Sequence, residues 1–329
     1  MRRRLPRLAA AWAALALTAC AATLGPPQPS LSDEDGWSFA AAELKPVGLG
    51  LPGAVLAPGV RFAGGIEIVA GLGSPLHGLS DLKLSGDGGF VAVSDAGDLV
   101  RGRLRLNAQG RLVGVDGLAS HRLALEDGTP ISDKRDGDAE GLALTQSGDL
   151  LVSFERRHRI WNYGPLSAVR APRPVPSPAV AFADNEGMEG LAAALPGQGQ
   201  GEGWRAVGEG GGVWDCTMNG CRTVVSPPAE APRDSDYRFT GLDRDPSGEG
   251  WFVVERRYTP PIDMRGRVRR MAADGSLGPA LIELKLPGTT DNFEGVAAER
   301  RGPTTRLYLL SDDNANPAQR TLLLAFDIR

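Results

Sequence analysis

The sequence has 329 residues, 42% apolar and 23% charged, with a formal net charge of −4. That length holds one large all-β domain or two ordinary ones, and the balance excludes a disordered or fibrous chain. Gly (44) and Pro (25) together make about a fifth of the residues, which favours many turns over long helices.

Residues 1–19 begin with Arg2, Arg3, Arg4 and Arg7, followed by an apolar run and small residues. This is the pattern of a secretory signal peptide, and its apolar core is too short for a comfortable membrane span. Leu17-Thr18-Ala19-Cys20 resembles a bacterial lipobox, which implies lipidation of Cys20 and membrane attachment by a lipid anchor only. Ala21 and Ala22 follow with no Asp, so the expected location is the cell envelope, on the periplasmic face of the outer membrane. Loss of residues 1–19 takes Lys+Arg from 36 to 32 against 40 acids, and the formal charge to −8. Such a domain has no broad basic field for nucleic acid.

Residues 20–57 are rich in Pro, Gly, Ala and Ser without a sustained period and are expected to form a flexible tether. From residue 58 to 329 the chain repeats itself. A Gly followed by Leu or Val recurs at Gly78, Gly141, Gly190, Gly241 and Gly295, at intervals of 63, 49, 51 and 54 residues. Each marker opens a short apolar stretch, then a Gly- or Pro-bearing turn, then a second apolar run ending in charge. Two strands per phrase, with strand-like runs between, give about four strands per repeat, the signature of a β-propeller. Five blades are expected, with six as the alternative. GGIEIVAG near Gly64 and TLLLAFDIR at the other end look like partners that would close the ring and remove its edges. In that geometry the start of each first strand and the end of each second strand share one rim. Trp161, Trp204, Trp214 and Trp251 sit in strand-like runs and are expected to pack between blades.

Within this region, Cys216 and Cys221 flank the turn signal Asn219-Gly220, and in an oxidising compartment they read as a disulfide across a hairpin. A metal site is the rival, weakened by the lack of a nearby His.

DNFEGV (Asp291–Val296), SDDN (Ser311–Asn314) and QRTLLLAF (Gln319–Phe326) resemble the bacterial phytase-like propeller family, described as "esterase-like activity of phytase". NEGMEGL, DAEGL, HGLSDL and the two Glu-Arg-Arg strand ends also fit it. The resemblance implies a propeller and, more loosely, ester or phosphoester hydrolysis; it brings no established catalytic set.

The acids cluster by repeat. Those expected to converge as metal ligands are Asp81, Asp95, Glu140, Glu155, Glu189, Glu255, Glu294 and Asp312. Hard oxygens at flexible spacing suit Ca²⁺, or Mg²⁺ with retained water. Glu140, Glu189, Glu294, Arg156, Arg256 and His77 are the candidate catalytic groups, the arginines to grip phosphate or carboxylate. Strand alternation lets at most one arginine of each pair (Arg156 or Arg157, Arg256 or Arg257) face the site. Against this stands the ordinary use of such acids in turns and in pairs between blades. GxSxG, HExxH and P-loop patterns are lacking. Two functions follow: a metal-assisted hydrolase acting on a small anionic or ester substrate at the central mouth, or a non-catalytic envelope propeller that binds a ligand or protein there.

Overall fold

A computed structural model describes residues 35–50, 52–197, 203–233, 235–260 and 263–329. The expected signal peptide and Cys20 lie outside these residues. Among the described residues no helix is long and apolar enough to cross a membrane.

The chain is all-β. Three short strands, β1 (Ser38–Phe39), β2 (Ala42–Pro46) and β3 (Ala54–Leu56), precede β4 (Val60–Ala70). Next come β5 (Leu79–Gly86), β6 (Gly89–Ser94), β7 (Asp98–Leu106) and β8 (Leu112–Arg122). A single helical turn, α1 (Lys134–Gly137), leads into β9 (Ala139–Leu144), β10 (Asp149–Phe154), β11 (Arg159–Pro165) and β12 (Arg173–Val175). Then follow β13 (Gly190–Ala193), β14 (Trp204–Val207), β15 (Val213–Thr217) and β16 (Gly220–Val225). The rest is β17 (Arg238–Arg244), β18 (Trp251–Thr259), β19 (Asp263–Met271), β20 (Leu277–Lys285), β21 (Asn292–Arg301), β22 (Thr304–Asp312) and β23 (Thr321–Ile328).

Consecutive strands pair antiparallel in runs of four: β5 to β8, β9 to β12, β13 to β16, and β17 to β20. In the remaining run β21, β22 and β23 are completed by β4, with Ile328 opposite Val60 and Thr321 opposite Ile68. β4 pairs with β8, parallel, at Gly64 and Leu112. This is a propeller-type arrangement of small sheets.

The marker glycines show why the phrase repeats. The innermost strands lie against one another, β5 on β9, β9 on β13, β13 on β17, β17 on β21 and β21 on β5. A Cβ on Gly241 would come 1.9 Å from the Glu294 carbonyl oxygen, and one on Gly295 would come 3.1 Å from Asp81 Cα. Backbones meet at these points with no space for a side chain, so glycine recurs there. The apolar residues of each sheet's two faces fill the spaces between neighbouring sheets. Trp161 packs with Val91 and Val93, Trp204 and Trp214 pack with Leu151 and Ile160, and Trp251 packs with Val207 and Val213. Burial at about 25 cal/mol per Å² of apolar surface makes these wedges the main stabilising term.

Cys216 and Cys221 form a disulfide across the β15–β16 hairpin. The stretch expected as a tether differs from expectation over its described part. β1 pairs with β8, β2 extends the sheet beyond β4, and β3 adds to β20. Val47, Leu49, Ala54 and Leu56 pack on the core beside β20. The physical reason is that β4, β8 and β20 would otherwise present open sheet edges, and even short strands satisfy them.

Candidate functional site

The starts of the inner strands and the ends of the second strands meet at one rim. The Glu155 amide donates to the Asp138 carbonyl (2.7 Å), and Asn292 pairs with Asp312. A segment such as AEGL and the end of its neighbouring strand, Phe154-Glu155-Arg156, are therefore side by side. The register also identifies the rim-facing position of each inner strand. In β21 the bulge falls between Phe293 and Gly295, which frees Glu294 from the ladder. Bulges at Leu79/Asp81 in β5 and Phe239/Gly241 in β17 put Ser80 and Thr240 in the same place. Glu140 and Glu189 precede Gly141 and Gly190 in the corresponding way.

Of these, Glu140, Glu189 and Glu294 line a cavity of about 340 Å³. It gathers Asp95, Glu140, Glu155, Glu189, Glu294 and Asp312, with Arg156 and Arg256. Lys134, Asp138, Asn185, Glu209 and Asn314 complete its wall. Eight carboxylates thus face three cations. Lys134 Nζ lies 2.6 Å from Asp95 Oδ2 and 2.7 Å from Asp138 Oδ1, and Arg156 Nε donates to Asp138 Oδ2. Arg256 Nη2 is 3.5 Å from Glu209 Oε1 and 3.8 Å from Glu294 Oε1. Asn292 Nδ2 donates to Glu294 Oε1 (2.8 Å). The carboxylates of Glu140, Glu155 and Glu189 have no hydrogen bond or ion pair among the described residues. Glu155 and Glu189 are only 7% and 6% exposed, which makes the missing partners costly. Asp138, Glu140 and Glu155 each offer an oxygen within 4.8 Å of the others.

The electrostatics follow. Burial, then the charges of Glu189 and Glu294, hold Glu140 well above the usual carboxylate range. Burial, then Glu209 and Glu294, do the same to Glu189. Asp312 is raised strongly by burial and by Glu294. Burial and Asp138 push Glu155 to about 7. Glu294 also reaches about 7, raised by burial and held back by Arg256 and Asn292. Like charges in a poorly solvated space disfavour ionisation, and protons leave such a group as a set.

Three expected site residues stand elsewhere. Asp81 is fully buried, 2.6 Å from Lys83 Nζ, and accepts from the amides of Leu82 and Leu142. By register it occupies the glycine position of its strand, one step beyond the rim-facing Ser80; the Gly78 marker is out of phase with the other four. Glu255 forms a two-pronged pair with Arg267 (2.7 and 2.8 Å), because alternation along β18 sends it away from the face that Arg256 occupies. His77 lies outside the cavity wall. Its Nδ1 is 2.6 Å from Asp313 Oδ2 and its Nε2 is 3.1 Å from the Gly71 carbonyl. With acceptors at both nitrogens it clasps two loops.

Among the wall residues outside the expected set, Lys134 had a local signal. Asp133 caps α1 by accepting from the Arg135 amide (2.9 Å), and the turn aims Lys134 at the rim. Asn185 and Asn314 come from loops with no periodic pattern to mark them.

No curated protein matches this chain. Among solved structures, a protein of unknown function from Bacteroides thetaiotaomicron is similar over 90% of this chain and 75% of its own, with 8% identity and a TM-score of 0.47. The major Malassezia sympodialis allergen Mala s 1 is similar over 84% of this chain and 97% of its own, with 13% identity and a TM-score of 0.43. The family model described as "Phytase-like: Esterase-like activity of phytase" matches residues 74–315, most of the propeller. The chain therefore belongs to the phytase-like family.

Proposed function

We propose that the chain is a five-bladed, ring-closed propeller that hydrolyses a phosphate or carboxylate ester at its central mouth with the help of a divalent cation. One observation carries this: Glu140, Glu155 and Glu189, unpaired among the described residues, turn their carboxylates into one partly water-excluded cavity, beside two arginines. The family's description adds ester chemistry as the reaction class. The donor set is all oxygen and rich in carboxylate, which fits Ca²⁺ or Mg²⁺ and not a soft metal. Asp138, Glu140 and Glu155 would hold the cation. When bound, it supplies Lewis-acid polarisation of an ester oxygen and offsets the repulsion among the acids. Glu294 stands ready to accept or deliver a proton near neutral pH, and Arg256 orients the anionic end of the substrate.

The experiment is direct. Thermal unfolding is followed with and without Ca²⁺, and turnover is measured on aryl phosphates and short acyl esters. We expect Ca²⁺ to raise the Tm, and Glu294→Gln to lower turnover by at least about a hundredfold while the fold persists. Stabilisation by Ca²⁺ without turnover would favour the second reading, a non-catalytic ligand-binding propeller. That reading draws on Arg156, whose guanidinium is already engaged by Asp138. A chain indifferent to Ca²⁺ and inert on every ester refutes the metal-assisted hydrolase.

We place the mature chain in the bacterial envelope as a lipoprotein, on the strength of the Leu17–Cys20 pattern. Labelling with a radioactive fatty acid should be lost in Cys20→Ser; retained label would exclude lipidation there.

A further inference from the structure

A second, larger depression adjoins the acidic cavity. It is a groove of about 550 Å³ between the β18–β19 hairpin, the segment before β21 and the loop that follows β22. The two hollows share Arg256 and Asn314 as common wall. Their chemistry differs sharply. The groove has one cation, Arg256, and one acid, Asp291. Asp291 is engaged internally, accepting from the amides of Asn292 (3.0 Å) and Arg320 (3.1 Å). The other polar lining is mostly uncharged amide: Asn292, Asn314, Asn316 and Gln319.

Several of these amides have hydrogen-bonding capacity left over. Gln319 Oε1 receives only long contacts, 3.3 Å from Asn314 Nδ2 and 3.4 Å from Asn316 Nδ2, and its own NH₂ donates to no described residue. Asn292 is 3% exposed, and its Oδ1 has no donor. Tyr258, Met264 and Leu286 add an apolar face to the same groove, with Leu286 half exposed. Arg256 differs from the other cations of the mouth in the same sense. Lys134 and Arg156 hydrogen-bond to Asp138. Arg256 is held only by looser ion pairs, 3.5 Å from Glu209 and 3.8 Å from Glu294, and its buried Nε has no partner among the described residues. That Nε–H is left over at the point where the hollows meet.

We infer that the groove is the substrate's second subsite, and that the substrate is an ester with one anionic group and a neutral, polyhydroxylated, sugar-sized body. The charged end lies against Arg256 and the body lies along the amides, over the apolar face. Amide side chains both donate and accept, and so do neighbouring hydroxyls, so each can satisfy the other without charge. The volume is in the range of small-molecule sites. A polyanion fits poorly. Beyond Arg256 it would meet no cation in the groove and eight carboxylates next door. This inference rests on the hydrolase reading for the position of the ester, but the groove is tested by binding alone.

The test uses the full chain with Ca²⁺ present and measures affinity by calorimetry. The probes are glucose 6-phosphate and glucuronate, each against its sugar-free anion, inorganic phosphate or acetate, with inositol hexakisphosphate as the polyanion. We expect at least one anionic sugar to bind about tenfold or more tightly than its sugar-free anion, and the pair to show whether phosphate or carboxylate is preferred. The double variant Asn316→Ala/Gln319→Ala should erase that margin and leave affinity for the small anion within twofold. Met264→Ala, on the apolar face, should weaken the sugar anions independently of the loop and leave the small anion within twofold. The inference is overturned if neither sugar anion shows the margin, if the variants weaken sugar and small anion alike, or if the hexakisphosphate binds most tightly. A chain that keeps the margin but turns over no ester sinks the hydrolase reading alone; one that cleaves aryl esters without the margin sinks this inference alone.

Discussion

Asp81 and Glu140 stand near the starts of adjacent inner strands, β5 and β9, and burial raises the proton affinity of both. They have opposite surroundings. Asp81 has Lys83 at 2.6 Å and two backbone amides, and Lys83 also donates to the Leu82 carbonyl (3.0 Å). Nearby Asp243 accepts from the Ala298 amide (2.8 Å). Glu140 faces other acids and receives no hydrogen bond from a described residue. A buried carboxylate is therefore not in itself a mark of function. In the first region each carboxylate accepts a hydrogen bond, Asp81 has a cation as well, and the cluster locks inner strands together. In the second, Glu140, Glu155 and Glu189 have no cationic counterpart among the described residues, an arrangement that a bound cation would stabilise.

The largest test of this contrast is to remove one counterpart. Lys83→Met leaves Asp81 alone in the core and should cost about 3–5 kcal/mol, read from urea unfolding. Adding Asp81→Asn to it should restore most of that loss. A cost below about 1 kcal/mol would mean that the paired cluster is no more committed to the fold than the cavity is.

A smaller effect is expected from pH. In the cation-free protein Glu140, Glu155, Glu189, Glu294 and Asp312 bind protons more tightly when folded than when unfolded, Glu155 and Glu294 to about 7. Their contribution is therefore complete below the ordinary glutamate range and is lost as pH rises through about 7. Stability should fall between pH 5 and 8 by on the order of 1–2 kcal/mol after solvent screening, and added Ca²⁺ should flatten the curve. A Tm that climbs over that interval without cations would contradict the repulsion described for the cavity.

The smallest effect has the opposite sign from most substitutions. Glu189→Gln removes one like charge from the cavity and should raise the stability of the cation-free protein by about 0.5–1 kcal/mol at pH 8, while shrinking the Ca²⁺-induced Tm shift. Equal destabilisation with and without Ca²⁺ would assign Glu189 to packing instead.

The repeat itself was legible because inner strands that touch backbone to backbone need glycine, and that need recurs at Gly141, Gly190, Gly241 and Gly295. The acids before three of those glycines were legible for the same reason. Asp81 and Gly78 misled because alignment on a Gly-Leu pair is blind to bulge register. Only the partner strand shows that Asp81 occupies the glycine's place. Glu255 misled because a run such as Val254-Glu255-Arg256-Arg257 contains both faces of a strand, and parity alone does not say which is inward. Lys134, Asn185 and Asn314 come from irregular segments, where the side chain's direction depends on the whole loop. Strands β1 to β3 escaped notice because two to five residues are too few to show alternation, and their stabilisation comes from an edge that is distant in sequence.

β23 lies between β22 and β4, and β4 is translated some 250 residues earlier. During synthesis the early strand waits with an unmatched flank, and a stretch like Ile66-Glu67-Ile68-Val69 will accept a stranger's backbone as readily as its own. A nascent chain of this design profits from shielding until its last strand emerges. Mutations that weaken Leu322–Phe326 should then be felt first as poor yield and clumping in the cell, before any change in the chemistry at the mouth.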